Sequence, residues 1–153
     1  MTTPQFGAPD PALAYRDRPA AFGVLERDGR IALVTVQKPG ATAWLDLPGG
    51  AIDPGEDDVA ALVREFGEET GLRVAAAALL GRADQYFVTT EGEPCNNRQA
   101  LFAARLLGEA PELKVEDDHT LVWRTPLEAI AELRHDSHAW AVALHLRRRP
   151  DAA

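Results

Sequence analysis

Three glutamates, Glu65, Glu68 and Glu69, stand three and four residues apart in a stretch whose apolar positions repeat helically. On a helix of ~3.6 residues per turn they share one patch, spread over an arc of roughly 100°. Val59, Leu62, Val63 and Phe66 form the apolar stripe of the same helix, centred about 120° away. One face is expected to pack on a sheet while its neighbour presents three carboxylates, with the small Ala61 leaving the patch open. A merely solvated acidic face is the ordinary reading of such a helix, but it explains the details badly. Glu65 and Glu69 repel at i,i+4, and Glu68 and Glu69 occupy the last turn, where the helix dipole disfavours anions by roughly 0.3–1 kcal/mol each. Arg64, bridging to Glu68, offsets only part of this. Clustered carboxylate oxygens become favourable when a hard divalent cation sits among them. Mg²⁺ takes octahedral oxygen coordination in which phosphate and water fill the positions that carboxylates leave. The pattern therefore points to metal-assisted chemistry on a phosphorylated substrate.

Such a helix needs a sheet beneath it and a turn beside it. Ala21–Leu25 and Ile31–Val36 read as a hairpin, with Asp28-Gly29 as the turn. Trp44–Leu47 is a short extended piece, and Pro48-Gly49-Gly50 is a turn that brings backbone, including a carbonyl, close to the carboxylates. The helix itself spans 56–70, with Gly71 as its C-cap. Residues 74–90 read as one or two strands interrupted near Gly81, 91–97 as a polar loop, and 100–106 as another strand. An acidic loop, Glu116-Asp117-Asp118, leads into a strand at 120–123. Thr125-Pro126-Leu127-Glu128 has the form of a capping box opening a helix to about Leu133, and a last helix runs from 137 to about 148. The order implies one α/β domain with helices covering a mixed sheet. Residues 1–19, with four prolines, read as a loosely packed arm, 20–148 as the domain and 149–153 as a tail.

Composition narrows the partners. The 153 residues, 46% hydrophobic and 26% charged, are an ordinary globular balance and enough for a real core. A net charge of -8 argues against binding nucleic acid through its phosphates, but not against a small nucleotide whose charge a metal ion meets. Cys95 is the single cysteine, so no internal disulfide forms and a reducing compartment, the cytoplasm, is expected. No stretch reads as a signal peptide or a membrane span.

The segment Gly50–Leu72 resembles the signature of the Nudix hydrolase family (MutT-like): Gly50, Glu56, Arg64, Glu65, Phe66, Glu68, Glu69, Gly71 and Leu72 satisfy each of its defined positions. The resemblance implies a Nudix-type α/β/α sandwich with a mixed β-sheet and a catalytic helix, and a pyrophosphohydrolase that cleaves a nucleoside diphosphate linked to another group by water attack on phosphorus. It also implies Mg²⁺ or Mn²⁺ as cofactor. Glu68 and Glu69 would be the principal metal ligands, Glu65 a further ligand or the base, and Arg64 and Glu56 residues that orient them. The Gly49 carbonyl and one acid of the later loop, preferably Asp117, would complete the site. Relatives often form dimers, which leaves a homodimer open.

Outside this segment the residues say less. Trp44, Tyr86 and Phe87 are candidates to stack on a base, and Arg82 and Arg98 to clamp a distal phosphate, although core packing and solvated arginines are the commoner readings. His135 and His138 read as structural, and Arg147-Arg148-Arg149 as a favourable helix end. Phe87 and Val88 stand where ADP-ribose-cleaving relatives often carry proline. A nucleoside triphosphate or small nucleotide derivative is left as the expected substrate. A dinucleoside polyphosphate hydrolase, and a nucleotide-binding module without turnover, are the alternatives.

Overall fold

Successive strand residues point to opposite faces of a sheet, and strand β2 (Arg16–Arg27) buries both. Ala20, Phe22 and Val24 join one core cluster with Ala129, Leu133, Ala141 and Val142; Ala21 and Leu25 join the other with Ala61, Leu62 and Phe66. A strand apolar on both faces calls for helices on both sides, and the computed structural model has them. It describes residues 2–149. The strands that follow are β3 (Arg30–Val36), β4 (Trp44–Asp46), β5 (Gly49–Ala51), β6 (Leu72–Val88), β7 (Pro94–Glu109) and β8 (His119–Arg124). Helix α1 (Asp58–Thr70) covers one face, while α2 (Pro126–Glu132) and α3 (Asp136–Arg148) cover the other. A two-residue strand, β1 (Gln5–Phe6), starts the chain. The sheet runs β1-β6-β7-β2-β3-β4, with β5 on β2 and β8 on β3. Its β1/β6 and β2/β7 pairs are parallel and the rest antiparallel, which is the mixed α/β/α sandwich expected from the sequence.

Local chemistry fixes the ends. Asp28 and Gly29 both take positive φ, 53° and 76°, the combination a two-residue hairpin turn needs between Arg27 and Arg30. Asp57 caps α1 by accepting from the Ala60 amide at 2.7 Å, and Gly71 closes it at φ 72°. The capping box of α2 is complete: Thr125 N–H donates to Glu128 Oε1 at 2.8 Å, and Glu128 N–H to Thr125 Oγ1 at 3.3 Å.

Several expectations need correction. The lead-in at 1–19 is only in part a loose arm: residues 7–14 are exposed and outside any strand, but its two ends are paired. Gln5–Phe6 pairs with β6, and Arg16–Pro19 already lies in register with β7. Proline leaves no amide to donate but can sit in an extended strand, so the composition misled. The part of the tail beyond Arg149 lies outside the described residues. Residues 72–88 form one strand whose bulges near Arg73, Ala76 and Leu79 absorb the irregularity. The polar loop shrinks to the turn near Thr89–Glu93, because Cys95, Asn96 and Asn97 are buried strand residues. The packed face of α1 is also rotated. Val59 is 40% exposed while Ala61 is fully buried, so the helix packs through Ala61, Leu62 and Phe66 and draws its carboxylates toward the sheet.

Buried amides at this end of the sheet anchor α3. Gln85 Oε1 accepts from the Ser137 amide at 3.2 Å, and Gln99 Oε1 meets His138 Nε2 at 3.2 Å. His135 and His138 pack at 5.2 Å between ring centroids. Burial, reinforced by the charge of Arg134, pushes His135 down to about 4. A ring held neutral in the fold binds fewer protons than in the unfolded chain, where its pKa is about 6.5. Stability is therefore whole above that value and is lost as pH falls toward 4. For His135 the loss between about pH 7 and pH 5 is about 2 kcal/mol. Urea denaturation at both pH values is expected to show a gap smaller by that amount in His135→Gln; an equal gap contradicts a neutral buried ring.

Candidate active site

A cleft of about 290 Å³ opens where α1 meets β5 and the start of β8. Gly49, Gly50, Glu65, Glu69, Glu116 and His119 line its acidic part. Glu69 is buried, and both its oxygens are engaged. Oε1 accepts the Gly49 N–H at 3.0 Å, and Oε2 lies 3.2 Å from His119 Nε2. Glu65 lies against the backbone of Gly50, where a Cβ would come within 2.8 Å of the Glu65 carboxyl carbon. Gly49 takes φ 146°, and a Cβ there would collide with the Ala21 carbonyl, so that position tolerates no side chain, whereas one at Gly50 would displace the Glu65 carboxylate.

Arg64 ties the remaining acids together. Its Nε and Nη2 hold Glu56 at 2.8 and 2.9 Å, and Nη2 also donates to the Ala51 carbonyl at 3.1 Å. A single nitrogen, Nη1, serves both Glu65 (3.0 Å) and Glu68 (3.1 Å). The free carbonyl of Glu68, at the helix end, accepts the amides of Val115 and Glu116 at 3.0 and 3.1 Å. That docking turns Glu116 into the cleft and fixes where β8 begins.

The electrostatics follow from burial set against pairing. Burial pushes the Glu65 carboxyl up, and it pushes Glu69 up to about 7. Glu56, whose charge Arg64 and the Asp53 amide stabilise, is held down at about 2. Burial works against an imidazolium at His119, but Glu69 and Asp118 outweigh it and hold that ring up at about 9. Asp118 is in turn held near 2 by Lys38 and His119. His119 is thus a cation seated on Glu69. Carboxylate oxygens of Glu116 and Asp118 lie within 4.8 Å of one another and of a His119 ring nitrogen, which in its charged form offers no lone pair to a metal. Hard oxygen donors, two of them on half- or fully buried carboxylates that only positive charge can relieve, fit a hard divalent cation, and the missing Cβ at Gly50 lets the Glu65 carboxylate approach that backbone.

Opposite these acids, Trp44, Phe87 and Arg134 form an aromatic and cationic wall. The Arg134 guanidinium lies 4.3 Å from the Trp44 ring centroid and 5.9 Å from that of Phe87. Asp46 grips it at 3.1 and 2.8 Å and also accepts from Trp44 Nε1 at 3.0 Å. Arg18 and Lys38 line the cleft as well.

Comparison with known proteins identifies the arrangement. A family model described as NUDIX domain matches residues 15–146. The chain belongs to the Nudix family. It is 32% identical over 113 residues to an RNA pyrophosphohydrolase of Sphingopyxis alaskensis, spanning 67% of this chain and 71% of that protein. It is 38% identical over 93 residues to a putative mutator protein, MutT4, of Mycobacterium tuberculosis, spanning 60% of this chain but only 36% of that protein. A solved NUDIX hydrolase from Nitrosomonas europaea shares the fold with a TM-score of 0.73 at 21% identity, covering 86% of this chain and 90% of that one. The Nudix chain described here is accordingly a hydrolase acting on phosphoanhydride bonds.

Of the residues expected from the sequence of this Nudix hydrolase, Gly49, Glu65, Glu69, Trp44 and Phe87 line the cleft, and Arg64, Glu56 and Glu68 adjoin it through the guanidinium. Four others do not. Tyr86 turns away to pack edge-on against Tyr15 at 5.0 Å. Arg82 pairs with Asp58, and Arg98 with Asp17 and Asp84, outside the cleft. Asp117 is exposed, and its neighbour Glu116 faces inward instead. Sequence reasoning also missed Arg18, Asn97 and His119, although strand alternation carried the signal. Arg18 shares parity with Phe22, Asn97 with Leu101, and His119 with Leu121 and Trp123.

The tight approach of Gly50 to Glu65 yields a prediction. Gly50→Ala is expected to fold with a stability loss of about 1–3 kcal/mol, the usual cost of overpacking. Turnover should fall by roughly 10²-fold because Glu65 must move. Steady-state kinetics beside a thermal melt test this, and unchanged turnover would show that Glu65 tolerates displacement.

Proposed function

We propose that this Nudix hydrolase is a divalent-metal-dependent pyrophosphohydrolase of small nucleotides. Its substrate is a nucleoside triphosphate or a related nucleoside diphosphate derivative. The observation that carries this reading is the convergence of Glu65 and Glu69 on the Gly49–Gly50 backbone, with Glu68 and Glu116 beside them. Glu68 and Glu69 hold the cation, Mg²⁺ or Mn²⁺, assisted by Glu65, Glu116 and the Gly49 carbonyl. When bound, the cation supplies positive charge against the phosphate oxygens and Lewis acidity toward the reacting phosphorus.

The chain's own groups do the rest. Arg64, anchored on Glu56 and the Ala51 carbonyl, keeps Glu65 and Glu68 from turning away from one another. Glu65, whose proton affinity burial raises, is suited to accept a proton from the attacking water. Lys38 and Arg18 offer positive charge to phosphates, while Trp44 and Phe87 offer ring faces to the base. Phosphoryl transfer demands mainly positioning and charge neutralisation, which this constellation provides.

Two observations weigh on the substrate. Tyr86, expected as a stacking partner for a base, packs on Tyr15 rather than facing the cleft, which leaves Trp44 and Phe87 for that role. The relative named for RNA suggests a nucleic-acid end as substrate, but a net charge of -8 favours a free nucleotide. Among the described residues no helix is long and apolar enough to cross a membrane, and the buried single Cys95 suits the reducing cytoplasm.

The deciding experiment is a metal-supplemented screen of nucleoside triphosphates, sugar nucleotides, dinucleoside polyphosphates and an RNA carrying a 5′-triphosphate, reading out products. Activity should vanish with a chelator and return with Mg²⁺ or Mn²⁺. Glu68→Gln and Glu69→Gln should retain the fold and lose roughly 10²-fold or more in turnover. Full activity in either variant sinks the assignment of these two residues.

A further inference from the structure

His138, the third residue of α3, is fully buried, and both its ring nitrogens are engaged. Nδ1 lies 3.2 Å from the backbone nitrogen of Leu47. An amide can only donate there, so Nδ1 is the acceptor and the ring proton sits on Nε2. Nε2 donates to Gln99 Oε1 at 3.2 Å, and the Gln99 amide is held the right way round because its Nε2 donates to the Ala83 carbonyl at 3.3 Å. The Phe22 ring packs on the imidazole at 4.4 Å between centroids. The neutral ring is thereby fixed in place and in tautomer from three sides.

What it holds is the approach to the acidic site. Leu47 lies between the last residue of β4 and the first of β5. From there three successive residues are pinned to three parts of the fold. The Leu47 N–H goes to His138, the Pro48 carbonyl accepts from Gly23 at 3.0 Å, and the Gly49 N–H donates to Glu69. Gly50 then lies over Glu65. A satisfied core histidine is the ordinary reading of such a residue. A leucine of similar bulk would fill the space without burying a polar ring, yet it would leave the Leu47 amide buried and unpartnered.

We propose that His138 is a positioning residue for hydrolysis: as an Nδ1 acceptor it sets the path of Leu47–Gly50, and through that path the Gly49 amide on Glu69 and the Gly50 backbone over Glu65. Its effect on turnover rests on the reading of Glu65 and Glu69 given under Proposed function. Its effect on the Gly49 amide does not.

Two variants separate acceptor from bulk. His138→Asn keeps an acceptor at the Nδ1 position but leaves a void; His138→Leu fills the volume and removes the acceptor. If His138 positions the site, His138→Leu melts lower because it orphans the Leu47 amide and Gln99 Oε1, and loses roughly 10- to 100-fold in kcat with KM within about twofold. In the metal-free protein its Gly49 amide proton moves away from the carboxylate-bonded position in the ¹H–¹⁵N spectrum. His138→Asn melts lower but keeps kcat within about threefold. A purely structural histidine instead gives a kcat that follows the melting temperature in both variants. Unchanged kcat and an unchanged Gly49 resonance in His138→Leu overturn the proposal. If wild type turns over none of the substrates screened, the proposed function fails, and the Gly49 resonance still decides this inference. Should neither variant fold, the wild-type ring decides: an Nε2-protonated tautomer with a slowly exchanging Leu47 amide upholds the proposal, and an Nδ1-protonated ring overturns it.

Discussion

One guanidinium serves four carboxylates at the heart of this hydrolase, and the surrounding structure is arranged around that imbalance. Arg64 bonds Glu56, Glu65 and Glu68 and lies 3.4 Å from Asp53, yet Glu69 is beyond its reach and finds His119 instead. A helix carrying such an excess of negative charge at its C-terminal end opposes its own dipole. The fold answers with contacts rather than with basic residues in the last turn, where there are none. The Glu68 carbonyl takes two loop amides, Gly71 closes the helix in the left-handed conformation, and the Ala110 amide bonds the Gly71 carbonyl at 2.7 Å. The first of these contacts also pins Glu116, which lines the cleft, so holding the helix and shaping the site are partly one task.

The division of labour across the cleft follows from sheet geometry. Strand β2 sends Arg18 and Phe22 to the same face, β7 sends Asn97 and Gln99 there, and α3 brings His138 against them. The polar layer between sheet and α3 is therefore buried but largely satisfied. Among the buried side-chain nitrogen and oxygen atoms of the described residues only Ser137 Oγ lacks a partner. On the far side, Asp46 holds Arg134 over Trp44 and keeps a bulky cation ordered at the rim. The acidic part offers charge neutralisation, and this wall offers flat surfaces. The two are joined by the Leu47–Gly50 segment.

Much of this was legible beforehand, and what was not has identifiable causes. The Gly50–Leu72 spacing, the Asp28-Gly29 turn and the Thr125 capping box are local signals, complete within a few residues, and each appears in the structure where it was expected. The lead-in was misread because its partner, β7, lies far along the chain, and proline content alone says nothing of a parallel neighbour. Pro94–Asn97 looked like loop because polarity implies solvent only when no partner satisfies it, and here Gln5 bonds Asn96 and Arg18 bonds Asn97 from distant parts of the chain. The acidic trio before β8 could not reveal which member faces inward, since two amides bonding the Glu68 carbonyl decide that orientation. Arg82 and Arg98 were read by charge alone, and their neighbouring aspartates claim them.

The parallel pairing of β2 with β7 joins Arg16 to Cys95 and continues for ten residue pairs, across a sequence gap of 79 residues. Contacts of such long range carry a large loop-closure cost before they return any stability, and they form late and slowly. During synthesis the carboxylate helix is complete long before the strand that brings Asn97 opposite Arg18. A nascent chain ending near residue 90 thus holds the residues of its acidic helix but no complete cleft, since Asn97, Glu116 and His119 have yet to be added.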